Sequence, residues 1–173
     1  MDSRLKCLPL PEGLGKLYKS CMPFSQTLDE KGELLEELQS LEKREKGLSI
    51  VVVPHLDEIL RLTGGIDILH EYEKAGFEII TCPFVEQYNE QSKILLDTLV
   101  SSLVERLELG RCVVIHCHSG YGRAGVVVAS ILYRLSLTRN VQTMADVIQF
   151  MRNIDPCFLI QDRPRDWLLH CFS

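Results

Sequence analysis

The sequence lacks a long apolar run and lacks an excess of positive charge. No stretch approaches the roughly 18 apolar residues that a membrane-spanning helix needs, so we expect no membrane span. Lysine and arginine total 19 against 24 aspartates and glutamates, which gives a net charge of −5. Proteins that bind nucleic acid through a broad surface are usually basic, so nucleic acid is not an expected partner. The amino-terminal segment MDSRLKCLPLP has no long apolar core, and we therefore expect no signal peptide.

The seven cysteines lack the spacing of metal ligands, and their odd number does not indicate a disulfide framework. With no signal peptide expected, reduced thiols in a cytosol-like compartment are the natural interpretation. We therefore expect a cytoplasmic protein without a metal site, with the nucleus as the alternative location.

The chain also lacks repeats and any linker that would divide it. Its 173 residues fit one domain, which we expect to span residues 1–173 with a core at about 14–172. Predicted strands include Leu17 and Tyr18 and otherwise cover 49–53, 77–81 and 112–116. Predicted helices cover 29–46, 57–63, 66–75, 90–109, 124–137, 141–152 and 163–171. This alternation predicts an α/β fold with a central, mostly parallel sheet flanked by helices.

The strand predicted at 112–116 ends in a glycine-rich segment, HCHSGYGRAG. Ligands bind beyond the carboxyl ends of strands in such folds, and a loop that enters a helix can aim backbone N–H groups at one anion. Gly120 and Gly122 permit positive φ and close approach to that anion, and Arg123 supplies a planar cationic fork. These positive surroundings favour the nucleophilic thiolate form of Cys117. The segment predicts a phosphate site with a cysteine nucleophile; the alternative is a buried cysteine before an ordinary turn.

Residues 116–123, HCHSGYGR, match every fixed position of H-C-x-x-G-x-G-R, the signature of the cysteine-based protein tyrosine phosphatases. The short chain resembles the dual-specificity branch, and its layout resembles the cyclin-dependent-kinase-associated and Cdc14-like phosphatases. The resemblance implies hydrolysis through a phosphocysteine intermediate, with no metal and no cofactor. It implies that Cys117 attacks phosphorus and that His116 orders the loop. The phosphate-binding residues that it implies are His118, Ser119, Gly120, Tyr121, Gly122 and Arg123.

The same resemblance implies two further site residues, a general acid and a residue that positions water. The family protonates the leaving oxygen with an aspartate that precedes the long helix, but the corresponding segment VEQY has none. Glu86 is therefore the expected general acid, with Glu90 and Asp57 as the alternatives. Gln161 matches a glutamine that positions the hydrolytic water in related enzymes; the alternative is a polar residue before a helix cap at Asp162.

The dipeptide Asp155-Pro156 resembles the general acid of another class of phosphatases, an interpretation that we reject. Low-molecular-weight tyrosine phosphatases use a late Asp-Pro acid, but they carry the cysteine loop near the amino terminus. Here Cys117 follows three predicted strands. We therefore interpret Asp155-Pro156 as a turn that ends a helix.

A reactive thiolate is also prone to oxidation, which makes a second cysteine of interest. Cys112 lies on the same strand as Cys117 and is too far along it to pair. Cys82 follows the strand at 77–81. Cys82 is predicted to end a strand that neighbours the strand before Cys117, so a reversible Cys82–Cys117 bond is a secondary hypothesis.

The expected function is a protein tyrosine or dual-specificity phosphatase. Its partner would be a protein carrying phosphotyrosine, phosphoserine or phosphothreonine, or a small phosphate ester. One alternative is a phosphoinositide or small-molecule phosphatase, although the lysines of related lipid phosphatases are replaced by His118 and Tyr121. The other is a catalytically weak phospho-binding module. The missing aspartate favours that module, and so does Ala124, which stands where the family usually has serine or threonine. The intact Cys117 and Arg123 oppose it.

Ala124 stands where the family usually has serine or threonine, whose hydroxyl stabilises the departing thiolate. One hydrogen bond to a charged group contributes about 1.5–3 kcal/mol, which is roughly ten- to a hundredfold in a rate. The resemblance therefore implies a slow enzyme, and Ala124→Ser is expected to speed phosphoenzyme hydrolysis. Steady-state turnover of one aryl phosphate measures this change, and an unchanged or slower turnover would contradict it.

Overall fold

The computed structural model describes residues 5–45, 47–83, 88–136 and 143–173. The strands of this part of the chain are β1 (Leu5–Leu8), β2 (Leu17–Ser20), β3 (Leu48–Val52), β4 (Glu78–Thr81) and β5 (Cys112–His116). The helices are α1 (Glu33–Arg44), α2 (Leu56–Leu62), α3 (Ile68–Ala75), α4 (Glu90–Glu108), α5 (Arg123–Ser136), α6 (Met144–Ile154) and α7 (Asp162–Cys171). Among the residues described, no helix combines the length and the apolar character needed to cross a membrane.

The strands form one sheet in the order β1-β2-β5-β3-β4, with β5 at its centre. Strands β2, β5, β3 and β4 run parallel, and β1 pairs antiparallel with β2 at the edge. Every residue of β3 and β5 is buried. Continuous apolar strands of this kind need cover on both faces of the sheet, and the helices supply it. The predicted α/β fold with a mostly parallel sheet is confirmed.

Successive residues of β5 point to opposite faces of the sheet, so they belong to two core layers. Val113 and Ile115 face a layer that contains apolar side chains from α4, α5 and α6. Cys112 and Val114 face a second layer, formed with apolar side chains from α1, α2 and α3. The central strand is thereby clamped between two helical layers, and the loop that follows it starts from a fixed point.

Most predicted elements lie within a few residues of those observed, and β5 has the predicted bounds. Strand β1 was not predicted, and it places residues 5–8 in the sheet. Helix α7 begins at Asp162 with Gln161 as its N-cap, so the prediction of a cap at Asp162 is wrong by one residue. The predicted helical residues Lys46, Leu137, Val141 and Gln142 lie outside the described residues.

The strand order contradicts the hypothesis of a bond between Cys82 and Cys117. Val52 of β3 pairs with both Thr81 of β4 and His116 of β5, so β3 separates the two strands. Cys82 and Cys117 each follow their strand by one residue, about two interstrand spacings or roughly 10 Å apart. A disulfide needs Cα atoms within about 7 Å. The expectation of neighbouring strands is therefore wrong, and this arrangement does not accommodate the bond.

Candidate active site

Residues 117–122 connect the central strand β5 to α5 at the carboxyl edge of the sheet. Helix α5 begins at Arg123, so its amino-terminal N–H groups and the positive end of its dipole lie beside this loop. Cys117 is 3% exposed, and Ala124 on the other side is fully buried. The core thus fixes the loop at both ends, and a buried thiol sits at its base.

Gly120 and Gly122 meet different demands. Gly120 has φ 81°, and a Cβ there would lie 2.6 Å from the carbonyl oxygen of Ser20. The neighbouring carbonyl of His118 accepts a hydrogen bond from Met22 N–H at 2.8 Å. Gly122 does not have a positive φ, but a Cβ there would lie 3.4 Å from Gln161 Oε1. The prediction of positive φ therefore holds at Gly120 alone, and the close approach of both glycines to an anion stays a prediction.

The guanidinium of Arg123 forms a two-point ion pair with Glu58. Nη1 donates to Oε2 at 2.7 Å, and Nη2 donates to Oε1. Arg123 is 8% exposed, and a bidentate pair of this kind fixes the plane of the guanidinium. Hydrogen bonding from Arg123 holds the pKa of the Glu58 carboxyl below its ordinary value. The pair therefore stays ionised at neutral pH and aims the arginine at the loop.

Sequence reasoning missed Glu58. It lies in the first turn of α2, shortly after the carboxyl end of β3, which neighbours β5. An acidic residue just past a strand beside the loop was the available signal. Asp57 gives the same signal, so the sequence alone does not separate the two. In the structure, Asp57 is exposed.

His116 is fully buried and holds the base of the loop. Its Nδ1 lies 3.2 Å from the carbonyl oxygen of Cys117, and its Nε2 lies 3.0 Å from the hydroxyl oxygen of Tyr72. A carbonyl only accepts, so Nδ1 donates and Nε2 accepts from the Tyr72 hydroxyl. Burial lowers the pKa of His116 to about 4, so the ring is neutral at neutral pH. It joins α3 to the loop by hydrogen bonds rather than by charge. Tyr72, buried on α3, was not identified from the sequence.

The two variable positions of the loop contact β2 or the segment that follows it. His118 Nε2 lies 3.1 Å from Oγ of the buried Ser25. Burial lowers the pKa of His118, and the nearby Glu58 carboxylate opposes that shift. The Tyr121 ring centre lies 4.1 Å from Nζ of Lys19. These contacts hold both side chains against β2 or the segment that follows it.

The structure brings Gln161 to the loop, where its Oε1 lies beside Gly122. The Gln161 side chain is exposed and makes no capping hydrogen bond with α7. Glu86, the expected general acid, lies outside the described residues. The alternative Glu90 is the first residue of α4 and is exposed.

A buried thiol, a fixed guanidinium and a helix amino terminus together form a site suited to a tetrahedral oxyanion. A thiol in such a site is chemically able to act as a nucleophile toward phosphorus. Over the described ranges, no group of three or more histidine, cysteine, aspartate or glutamate side chains is placed to hold a metal ion.

The family model described as "Polymorphic toxin system, DSP-PTPase phosphatase" matches residues 33–136. That span covers more than half of the chain and contains the loop with Cys117 and Arg123. The chain therefore belongs to this family of cysteine-based, dual-specificity phosphatases, and the resemblance seen in its sequence is confirmed. It is a phosphatase.

Solved phosphatase structures share the fold. Kinase associated phosphatase, with its catalytic-site cysteine replaced by serine, matches with a TM-score of 0.76 at 19% identity, covering 95% of this chain and 90% of that one. Tk-PTP in its active form matches at 0.61 and 23% identity, covering 99% and 97%. PTPMT1 in complex with PI(5)P matches at 0.66 and 17% identity, covering 90% and 88%. At identities below 25%, these structural matches establish a common fold.

Replacing Glu58 with glutamine is expected to lower kcat/KM for an aryl phosphate. The amide keeps the shape of the side chain but loses the charge that fixes the plane of Arg123. Hydrogen bonds to charged groups contribute about 1.5–3 kcal/mol, so the expected loss is roughly ten- to a hundredfold.

Because Arg123 lowers the pKa of Glu58, the pair stabilises the fold above the ordinary carboxyl pKa. That stabilisation is lost only as the pH falls through the lower folded value.

The matched control is Asp57→Asn, which changes the exposed neighbouring carboxylate. It is expected to leave both kcat/KM and Tm unchanged at pH 7. Equal kcat/KM for Glu58→Gln and the parent protein would show that the ion pair does not orient Arg123 for substrate.

Proposed function

We propose that this phosphatase hydrolyses phosphotyrosine, phosphoserine or phosphothreonine in proteins through a covalent phosphocysteine at Cys117. The observation that carries the proposal is the buried Cys117 at the base of the loop. The arginine of that loop, Arg123, is held in place by Glu58. The structure of kinase associated phosphatase supports it, since the serine in that protein replaces its catalytic-site cysteine. A reducing compartment such as the cytoplasm suits the reaction, because the nucleophile must remain a thiolate.

In the first step, the Cys117 thiolate attacks phosphorus in line with the ester oxygen. The S–P bond forms as the P–O bond breaks, and the electron pair goes to the leaving oxygen. Arg123 and the loop N–H groups bind the other phosphoryl oxygens, where negative charge is concentrated. Glu86 gives its proton to the leaving oxygen, so the product leaves as a neutral alcohol or phenol.

In the second step, water attacks the phosphocysteine. Gln161 orients the water, and the Glu86 carboxylate takes its proton. The new O–P bond forms as the S–P bond breaks, and the electron pair returns to Cys117 as a thiolate. Ala124 offers no hydroxyl to that developing charge, so this step is expected to limit turnover.

A phosphoinositide substrate is the second candidate. PTPMT1, a protein of the same fold, has been solved in complex with PI(5)P. His118 and Tyr121 oppose this alternative, because a neutral imidazole and a phenol at the two variable loop positions give less attraction to a polyphosphorylated headgroup than lysines would.

The proposal is tested by hydrolysis of an aryl phosphate, a phosphopeptide panel and vesicles containing PI(5)P. The parent protein is expected to hydrolyse the aryl phosphate and the phosphopeptides faster than the lipid. Cys117→Ser is expected to abolish turnover while keeping phosphate binding. Faster lipid hydrolysis would favour the phosphoinositide alternative. Phosphate binding without turnover by the parent protein would favour a phospho-binding module.

Glu86→Gln tests the general acid. Loss of such a group usually slows a reaction by about 10²–10⁴-fold, and the loss is expected to be largest for alkyl phosphates, whose leaving oxygens need a proton. Glu90→Gln is the matched control and is expected to retain the parent rate. If Glu86→Gln hydrolyses an alkyl phosphate at the parent rate, another group supplies the proton.

A further inference from the structure

A buried ion pair lies beneath the catalytic loop. Nζ of Lys19 on β2 lies 2.7 Å from Oδ2 of Asp155, and their side chains are 5% and 7% exposed. Lys6 of β1 approaches the same carboxylate oxygen at 3.5 Å but is 33% exposed. Burying two charges is costly, and removing one partner of a buried pair leaves the other charge uncompensated. Lys19 contacts the catalytic loop, and Asp155 contacts the turn that precedes Gln161.

Lys19 contacts the loop directly. Its ammonium lies 4.1 Å from the centre of the Tyr121 ring, within the range of a cation–π interaction. The next residue along β2, Ser20, has the carbonyl that approaches Gly120. Lys19 therefore links β2 to the loop at Tyr121.

Asp155 organises the turn that leads from α6 to Gln161. Its Oδ1 accepts a hydrogen bond from Cys157 N–H at 3.2 Å, and its carbonyl accepts one from Phe158 N–H at 2.9 Å. Arg152 of α6 closes the turn by donating to the carbonyls of Phe158 and Leu159 at 3.1 and 2.6 Å. The carboxylate thus shapes a turn whose other end is held by α6.

That turn is docked on the loop. Leu159 N–H donates to the carbonyl of Tyr121 at 3.2 Å. Leu159 has φ 48°, a left-handed conformation that a branched side chain adopts only under constraint. Two residues later, Gln161 Oε1 lies beside Gly122. The ion pair therefore holds both the Tyr121 ring and the turn that delivers Gln161.

We propose that Lys19 and Asp155 are positioning residues for the second step, the hydrolysis of phosphocysteine. This inference rests on the proposed function. The pair touches no reacting atom, and it acts by fixing Gln161 against the loop where water must approach. The first step depends on different contacts: Glu58 fixes Arg123, and the core around β5 and α5 fixes Cys117. Loss of the pair should therefore slow phosphoenzyme breakdown selectively.

Rapid-quench kinetics with an aryl phosphate separate the two steps. Asp155→Asn keeps the side-chain shape and an oxygen for Cys157 N–H, but it removes the charge. Its burst, which reports phosphoenzyme formation, is expected to stay within about twofold of the parent rate. Its steady-state rate is expected to fall about tenfold, and phosphoenzyme should accumulate. Lys19→Met should have the same effect, and the double variant should be no slower than either single variant, because both changes break one interaction.

Lys6→Met is the matched control, since it removes a charge from the same carboxylate without a contact to Tyr121. It is expected to leave burst and steady-state rates unchanged. Asp155→Glu restores the charge and is expected to recover much of the breakdown rate. A role in stability alone would lower Tm in Asp155→Asn without changing the ratio of the two rates.

The outcomes distinguish the two proposals. If the parent protein shows neither a burst nor turnover, the proposed function fails. If the parent shows a burst but Lys19→Met leaves the ratio of breakdown to formation at the parent value, the positioning role is wrong. Equal slowing of both steps would also overturn it. Lys19→Met decides the question even if Asp155→Asn does not fold.

Discussion

The pairing of Arg123 with Glu58 is the interaction on which the site depends. A guanidinium buried at a helix amino terminus needs a negative partner when no phosphate is present, and the bidentate contact supplies one while fixing its plane. The partner comes from the helix that follows β3, so the pair ties the neighbour of the central strand to the start of α5. Substrate then meets a preset cation rather than one that must be ordered on binding.

The rest of the loop is held from three directions. Beside Gly120, the carbonyl of Ser20 leaves no room for a side chain. Below it, Tyr72 fixes the neutral ring of His116. From α6, the turn at Leu159 meets the carbonyl of Tyr121. Each contact comes from a different element, so the conformation of the loop depends on the fold as a whole and not on its own sequence alone.

The elements that the sequence predicts well are those with strong local signals. The apolar run CVVIH, followed by a glycine-rich segment, located β5 and its loop with the observed bounds. Strand β1 gave no such signal, because LKCL is a short edge strand with one buried residue.

The contacts that the sequence did not predict join residues far apart in the chain. Glu58 lies 65 residues from Arg123, and Tyr72 lies 44 residues from His116. Both pairings depend on the strand order, in which β5 lies between β2 and β3. The same order explains the error at Cys82, whose strand is separated from β5 by β3. Local periodicity predicts elements, but only the order of the strands determines which residues meet.

The central claim is that phosphate passes through the sulfur of Cys117. Mass spectrometry of protein quenched with acid during turnover of an aryl phosphate tests it most directly. One added phosphate is expected on the peptide containing Cys117, forming in the burst and decaying at the turnover rate. Turnover without that adduct, or a phosphate on another residue that decays at the turnover rate, would contradict it.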